Sequence, residues 1–454
     1  MSVTAVRGPL APRAPERPNM PLRRTAAVLA AAAVTALALV PPSQAQAVPT
    51  TDAGAAAAGW LARQLVDGDH FENVLDGVAY PDQGLTLDAL FAFTAAGVAA
   101  DRADRATAWL AEPAIIDNYL HFGDPAESFA GAHAKLALAV QVRGLDPTSF
   151  GGTDLIAGLT ALRAPSGRFQ DKSKYGDYSN GFTQAFAVLA LDRWDGAPKA
   201  AVDYLVGTQC PNGGFPLVLE ATPCVSHVDA TAMAVQALLA VDRTAVADKA
   251  LDWLSGDGVQ QPGGGFRDEG QAGEGNANST GLAAQALRAG GRTAAADKAT
   301  AFLRSLQVGC TAVEADRGAI AFDKTAFTRA TSLRASAQGV LGLVGVNFAD
   351  LTAEGDQADV PVLDCPVTTT TPTSSTSDIT TTTTTATTST DATTTSTTTD
   401  ATTTNAVVAV ASNRGTLART GAAVGPALWI GALLLVGGVL AVLLSRKRHA
   451  DAGK

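Results

Sequence analysis

The sequence predicts an all-α protein: a body of six helical hairpins, followed by one apolar helix long enough to cross a membrane. Three observations carry this. A small-residue helical motif recurs through residues 180–340, each copy is preceded by a Gly/Pro-rich turn, and a threonine-rich break separates the body from the last apolar run.

The motif reads Ala234-Val235-Gln236-Ala237-Leu238, Ala283-Ala284-Gln285-Ala286-Leu287 and Ser336-Ala337-Gln338-Gly339-Val340, at spacings of 49 and 53 residues. A period of that size marks a stacked or closed array of supersecondary units. Counting back from each copy gives helix starts at Asp229, Asn278 and Thr331, with Asn180, Ser128 and Asp82 opening three earlier units. Each of these six residues has a side-chain oxygen suited to accept from an early helical N–H. Between these helices lie runs with apolar residues at helical spacing, such as Trp60, Leu61 and Leu65, or Leu251, Trp253 and Leu254. The turns that follow are rich in glycine and proline: Gln209-Cys210-Pro211-Asn212-Gly213-Gly214-Phe215, Gln261-Pro262-Gly263-Gly264-Gly265-Phe266 and Pro165-Ser166-Gly167-Arg168-Phe169. Proline blocks helix continuation and glycine supplies positive φ. Ala- and Gly-rich second helices suit an inner ring, and aromatic-bearing first helices suit an outer one.

Loops of the form Gln-x-x-x-Gly-Phe, followed by Asp229-Ala230-Thr231-Ala232 opening a helix, resemble the prenyltransferase and squalene-cyclase repeat. The resemblance spans Ala55 to about Phe348 and implies an α/α toroid of six hairpins, an α6/α6 barrel. The activities of that family are not implied by the same residues. Class II cyclases use Asp-x-Asp-Asp to protonate an alkene, because an unactivated double bond needs a strong acid. The matching stretch here retains Asp229 alone, within Ser226-His227-Val228-Asp229. Protein prenyltransferases place a zinc-binding Cys two residues after the Asp, where this chain has Thr231. The thioester motif of complement-type toroids is also missing.

The flanks point outside the cell. Arg23-Arg24 precede an apolar run, Ala26 to Val40, and Ala45-Gln46-Ala47 forms a small-x-small cleavage site. Residues 1–47 are therefore expected to be a secretory signal peptide, with Met20 the better start and Val48 the first mature residue. The arginine pair matches twin-arginine export poorly. Between Val367 and Thr404, 24 of 38 residues are Thr. Such a segment has little to bury and cannot offset chain entropy, so 367–416 is expected to be a disordered stalk, open to O-linked sugars. Residues 422–444 form an uncharged run, about 34 Å long as a helix, and Arg446-Lys447-Arg448 in the 445–454 tail would stay cytoplasmic. The five residues before it, Leu417, Ala418, Arg419, Thr420 and Gly421, resemble the LAxTG sortase signal of high-GC Gram-positive bacteria. That resemblance implies cleavage after Thr420 and covalent attachment to peptidoglycan. The expected location is thus extracellular and wall-anchored, with sortase, peptidoglycan and, before sorting, the membrane as partners.

The body, 55–366, contains the four cysteines. In an exported chain they are expected to pair, as Cys210–Cys224 and Cys310–Cys365, rather than bind metal with His227. A net charge of −10, with no Lys/Arg cluster outside the two export signals, argues against nucleic acid as a partner. Neither a metal nor a cofactor is expected.

Candidate acids at the cavity mouth are Asp82, Asp88, Asp229, Asp268, Glu269 and Glu274. The weak catalytic candidates are Asp229, Asp88 and His227, with Asp88 expected to be a solvated pore-facing side chain. Tyr175, Tyr178 and Asn180, aligned with His227 and Asp229, form the expected binding rim. The functional expectation is a surface protein whose toroid binds a ligand or partner without catalysis. The alternative is an extracellular toroid enzyme: a glycan-cleaving hydrolase or lyase, which needs two facing carboxylates, or a diverged terpenoid-cyclase-like enzyme.

Overall fold

The computed structural model describes residues 48–267 and 271–366. The signal peptide, stalk, sorting motif and apolar run expected at the two flanks lie outside these residues, as do Asp268 and Glu269. Among the described residues no helix is long and apolar enough to cross a membrane. They form thirteen α-helices: α1 (Ala53–Ala62), α2 (Gln83–Ala96), α3 (Ala100–Leu110), α4 (Pro113–His121), α5 (Ala130–Val142), α6 (Leu155–Ala161), α7 (Gly181–Asp195), α8 (Lys199–Gly207), α9 (Val228–Ala240), α10 (Thr244–Leu254), α11 (Ala277–Ala289), α12 (Thr293–Ser305) and α13 (Arg329–Val344).

Helices α2, α5, α7, α9, α11 and α13 pack each on the next, and α13 packs back on α2. The six therefore close an inner ring. Helices α1, α3, α6, α8, α10 and α12 precede them in the chain as the outer layer, and α4 is an extra piece between α3 and α5. This is the α/α toroid of six hairpins. The division follows from composition. Inner helices are buried on nearly every side, as in Phe182 through Leu191 of α7. Outer helices are amphipathic, and α10 buries only Ala247, Ala250, Leu251 and Leu254.

One joint recurs within the hairpins. In five of them a buried residue midway along the long loop donates its backbone N–H to a side chain in the first or second turn of the following inner helix. Phe71 donates to Thr86 Oγ1 (3.0 Å), Phe169 to Gln184 Oε1 (3.1 Å), Phe215 to Thr231 Oγ1 (2.8 Å), Phe266 to Thr280 Oγ1 (2.9 Å) and Ile320 to Ser336 Oγ (2.9 Å). A second joint ties outer helices together. Gln209 Nε2 donates to Gly213 O and Val246 O, Gln260 Nε2 to Gly264 O and Ala295 O, and Gln307 Nε2 to Gly318 O and Ala53 O. The glycine in this joint is obligatory. At Gly264, φ is +90° and a Cβ would sit 2.3 Å from Lys298 O.

These joints correct the repeat spacing. Thr231 and Thr280 are 49 residues apart, as read from sequence, but Thr280 and Ser336 are 56 apart and Gln184 and Thr231 are 47 apart. Small residues recur at every turn of the inner helices, so a slip of two or three residues leaves the pattern almost unchanged. The caps shift accordingly. Asp82 and Asn180 cap α2 and α7 as expected. The other caps are His227 rather than Asp229, Asn276 rather than Asn278, and Thr328 rather than Thr331. Helix α5 starts after Phe129, not Ser128, and its Ala130 N–H donates to Asp171 Oδ1 at 2.9 Å. The all-α expectation also missed a small hairpin, β2 (Glu72–Leu75) with β3 (Val78–Pro81), turned by Asp76 and Gly77 at φ 51° and 78°.

After α13 the chain runs as a strap over the C-terminal ends of the inner helices. Val346 O accepts from Gln285 Nε2, Phe348 N–H donates to Gln236 Oε1, and Gln236 Nε2 donates to Gln285 Oε1. The Phe348 ring lies 5.0 Å from Phe91 and 5.8 Å from Phe186, filling this end of the ring. Farther on, Ala353 N–H donates to Val142 O, Asp356 pairs with Arg143, and Gln357 N–H donates to Gly97 O. The strap ends as β4 (Val362–Leu363), parallel to β1 (Pro49–Thr50), beside the Cys310–Cys365 disulfide. Cys210–Cys224 also forms, so both expected pairings are present.

Replacing Thr280 by Val keeps the shape but leaves the buried Phe266 N–H without its acceptor. Thr280→Val is expected to cost about 1–3 kcal/mol in chemical denaturation, although the site is surrounded by apolar neighbours.

Candidate ligand site in the ring lumen

The repeating joint fixes how each inner helix is rotated. Successive residues turn by about 100°, so side chains two positions before and two after the joint residue point away from it, into the ring. The outer of these two layers is Gly84, Gly131, Phe182, Asp229, Asn278 and Arg334. The inner layer is Asp88, Lys135, Phe186, Met233, Leu282 and Gln338. Contacts between inner helices agree with this assignment. Phe91 of α2 stacks near Phe186 of α7 at 6.4 Å, and Asp88 of α2 meets both Lys135 of α5 and Arg334 of α13.

Asp88 is not the solvated pore residue expected from sequence. It is 7% exposed, Lys135 is fully buried, and the two pair at 2.5 Å through Asp88 Oδ1. Asp88 Oδ2 accepts from Arg334 Nη1 at 2.5 Å, Arg334 Nη2 reaches Asp82 Oδ2 at 3.3 Å, and Lys135 Nζ donates to Gly84 O at 2.9 Å. Burial pulls the Lys135 pKa below its ordinary value and the Asp88 charge opposes that pull. Tyr119, buried near Asp82 and Asp88, is pushed well above the usual tyrosine range by burial first and these carboxylates second. With both oxygens held by cations, Asp88 is poorly placed to give or take a proton. The cluster instead bridges α13, α2 and α5, where the ring closes.

The other expected residues separate. Asp229 is 2% exposed, in the first turn of α9 and on the lumen side, whereas half-buried His227 uses Nδ1 to accept from Ala230 N–H at 3.4 Å. Asn180 is consumed by a capping box: its Oδ1 accepts from Phe182 and Thr183 N–H. Its side-chain oxygen thus serves helix initiation. Tyr175 and Tyr178 are exposed on the loop before α7, with Tyr178 Oη donating to Tyr175 O at 2.9 Å. Glu274 is exposed and pairs with Lys324. No cluster of potential metal ligands occurs among the described residues.

Sequence reading missed Lys135, Arg334, Asn278 and Gln338 as lumen residues. Their signal was present: each is a polar residue in a helix otherwise dominated by Ala, Gly and Leu. Asn278 Oδ1 and Gln338 Oε1 have no hydrogen-bond partner, and the residues are only 7% and 5% exposed. Such groups normally find partners, so two on one lumen wall are a specific feature.

His133 occupies the joint position on α5. Its Nε2 lies 3.3 Å from Ser128 Oγ, its Nδ1 is unpartnered, and burial, helped by nearby His121, lowers its pKa from 6.5 to about 3. Asp171 shifts the other way, from 3.8 to about 6, chiefly through burial.

Two substitutions are expected to act with opposite sign. Asp88→Asn strands the buried Lys135 charge and is expected to cost about 3–5 kcal/mol. Gln338→Met removes an unsatisfied polar atom and is expected to leave stability unchanged or raise it by about 1 kcal/mol, both read by urea denaturation. A lowered folded pKa means that the His133 contribution is present above pH 6.5 and lost as pH falls toward 3. Asp171, with its raised pKa, opposes this: its contribution is present below pH 3.8 and lost as pH rises through 6. The difference between wild type and His133→Gln isolates the histidine. It is expected to change by up to about 1.4 kcal/mol per pH unit across that window.

No protein-family model matches the chain, and no curated protein matches it. Solved structures similar to it include the type II terpene cyclase MstE from Scytonema, at 15% identity over 64% of this chain and 96% of that one, TM-score 0.47. They also include the GH76A α-1,6-mannanase of Salegentibacter, at 11% identity over 65% and 100%, TM-score 0.46. The protein geranylgeranyltransferase-I of Candida albicans is similar at 13% identity over 57% and 83%, TM-score 0.40. At these identities and TM-scores the likenesses concern a helical ring and assign no activity to this chain.

Proposed function

We propose that this chain is an exported, wall-anchored surface protein whose ring lumen binds a small ligand without transforming it. The observation that carries the binding role is the pair of unpartnered, buried carboxamide oxygens on the lumen wall, Asn278 Oδ1 and Gln338 Oε1. A free protein bears the cost of leaving them unpaired, and a bound ligand removes it. The absence of catalysis is supported by Asp88, whose carboxylate is bound by two cations. Export and anchoring rest on the order of segments: Arg23-Arg24 with the run from Ala26, then the threonine stalk, then Leu417-Ala418-Arg419-Thr420-Gly421 before the apolar run. Sortase and peptidoglycan are the corresponding partners.

A second reading, an extracellular toroid enzyme, is favoured by one observation: the Asp229 carboxylate is buried on the lumen wall. Native mass spectrometry of the full chain, extracted from its own cell envelope, distinguishes the two. The binding role predicts a small-molecule adduct that is lost from Gln338→Met and released unchanged; a chemically altered ligand would establish the enzyme reading. For the anchor, Thr420→Ala is expected to move the protein from the fraction released by wall digestion to the detergent-soluble membrane fraction. Unchanged wall attachment would remove the sortase step.

A further inference from the structure

An open cleft of about 410 Å³ lies outside the ring lumen, between the second half of α3 and the loop that follows α5. Its volume falls within the ~300–1,000 Å³ usual for small-molecule sites. We infer that it binds a small organic cation: an ammonium group on a short hydrocarbon chain, held at the Asp104 and Asp146 carboxylates. A free diamine and a lysine side chain share this chemistry. The cleft has no lining residue in common with the lumen, so the two sites stand or fall separately.

Two features select a cation. The first is side-chain charge. Asp104, Ala108 and Ala111 recur at helical spacing and share one face of α3, while Leu145, Asp146 and Phe150 line the cleft from the loop. Arg143 also lines it, but its guanidinium is committed to Asp104 at 2.7 Å and Asp356 at 3.1 Å. Three carboxylates therefore surround one cation. The Asp104 side chain is still 72% exposed, which leaves carboxylate surface for a ligand. Asp146 is exposed too, and hydrogen bonds from the Thr148 side chain and backbone hold its pKa below the ordinary value, so it stays charged. Arg102 and Arg105 reach toward Gly68, off this face of α3. The second feature is the backbone. The cleft takes in Ala111 and Arg143, the C-caps of α3 and α5, and neither helix has a basic residue in its last turn. Each such C-terminus presents roughly half a negative charge. The floor makes the cation an organic one. Ala108, Ala111, Leu145 and Phe150 offer a hydrocarbon chain an apolar surface, from which a hydrated metal ion gains nothing.

The test is calorimetric titration of the full chain in non-ionic detergent with cadaverine and with Nα-acetyl-lysine amide. Pentanol, pentanoate and magnesium chloride are the contrasting probes. At least one of the two amines is expected to bind saturably, and none of the contrasting probes. Binding of cadaverine alone identifies a free amine, and equal binding of the lysine derivative identifies a side chain. Affinity is expected to fall about fivefold in Asp146→Asn, whose carboxamide still accepts from Thr148. Saturable binding is expected to vanish in Ala108→Phe, which fills the cleft from an exposed helix position without changing the net charge. Both variants are expected to melt with wild type. If neither amine binds, the site is overturned. Amine binding that survives Ala108→Phe is general attraction to an acidic protein and overturns it as well. Pentanol or magnesium binding as tightly as the amines overturns the organic-cation class. Gln338→Met is expected to leave amine binding unchanged; loss there, with binding kept in Ala108→Phe, moves the amine to the lumen and overturns the cleft alone.

Discussion

The hydrogen bond from a buried mid-loop backbone N–H to a side chain in the first or second turn of the next inner helix is the constraint on which this structure rests. It occurs in five of the hairpins, through Thr, Ser or Gln, and each time it settles the same degree of freedom: rotation of the inner helix about its own axis. A helix buried on all sides has no amphipathic stripe to orient it. Helix α7, apolar from Phe182 to Leu191 apart from Thr183 and Gln184, would pack about equally well at several rotations. A polar atom that must meet one buried N–H removes that degeneracy. The lumen walls are a consequence, because the residues opposite the joint have nowhere else to point.

The lumen so produced is lopsided. Its charged side is built by α13, α2 and α5, around the Asp88 carboxylate; its apolar side carries Phe182, Phe186 and Met233. A buried ion cluster gives little net stability once desolvation is counted. Its value here is positional. Helices α2 and α13 belong to the first and last hairpins, and a carboxylate that must satisfy cations on both neighbouring helices admits one register of ring closure.

Much of this was legible in the sequence, for reasons that also explain the rest. The hairpins, the inner and outer assignment and the Gln-x-x-x-Gly-Phe loops could be read because they depend on local composition and on a side chain bonding to a glycine carbonyl four residues on, as Gln209 does to Gly213. The caps were displaced because Ala- and Gly-rich helices look alike at every turn, so that Asp229 stood in for His227. The lumen cluster was opaque. Asp88 and Arg334 are 246 residues apart, and only ring closure brings them together. Asn278 was read as a cap, although two positions inside a helix it points into the lumen. The strap was hidden for a different reason: most of its bonds run from its own backbone to partners far away in sequence, among them the Gln236 and Gln285 side chains, Val142 and Gly97, and leave no periodic pattern in its own side chains.

The strap has a mechanical consequence. Cys365 lies within two residues of the last described position and is bonded to Cys310, early in the loop after α12, across a sequence separation of 55 residues. A pull on the chain beyond Pro366 therefore enters the body at Cys310 through a covalent link. The stretch from Gly345 to Asp364, with Phe348 seated among the inner helices, lies inside that closed loop and bears no tension. Such a pull cannot unzip the floor of the ring from its loose end while that sulfur bridge holds.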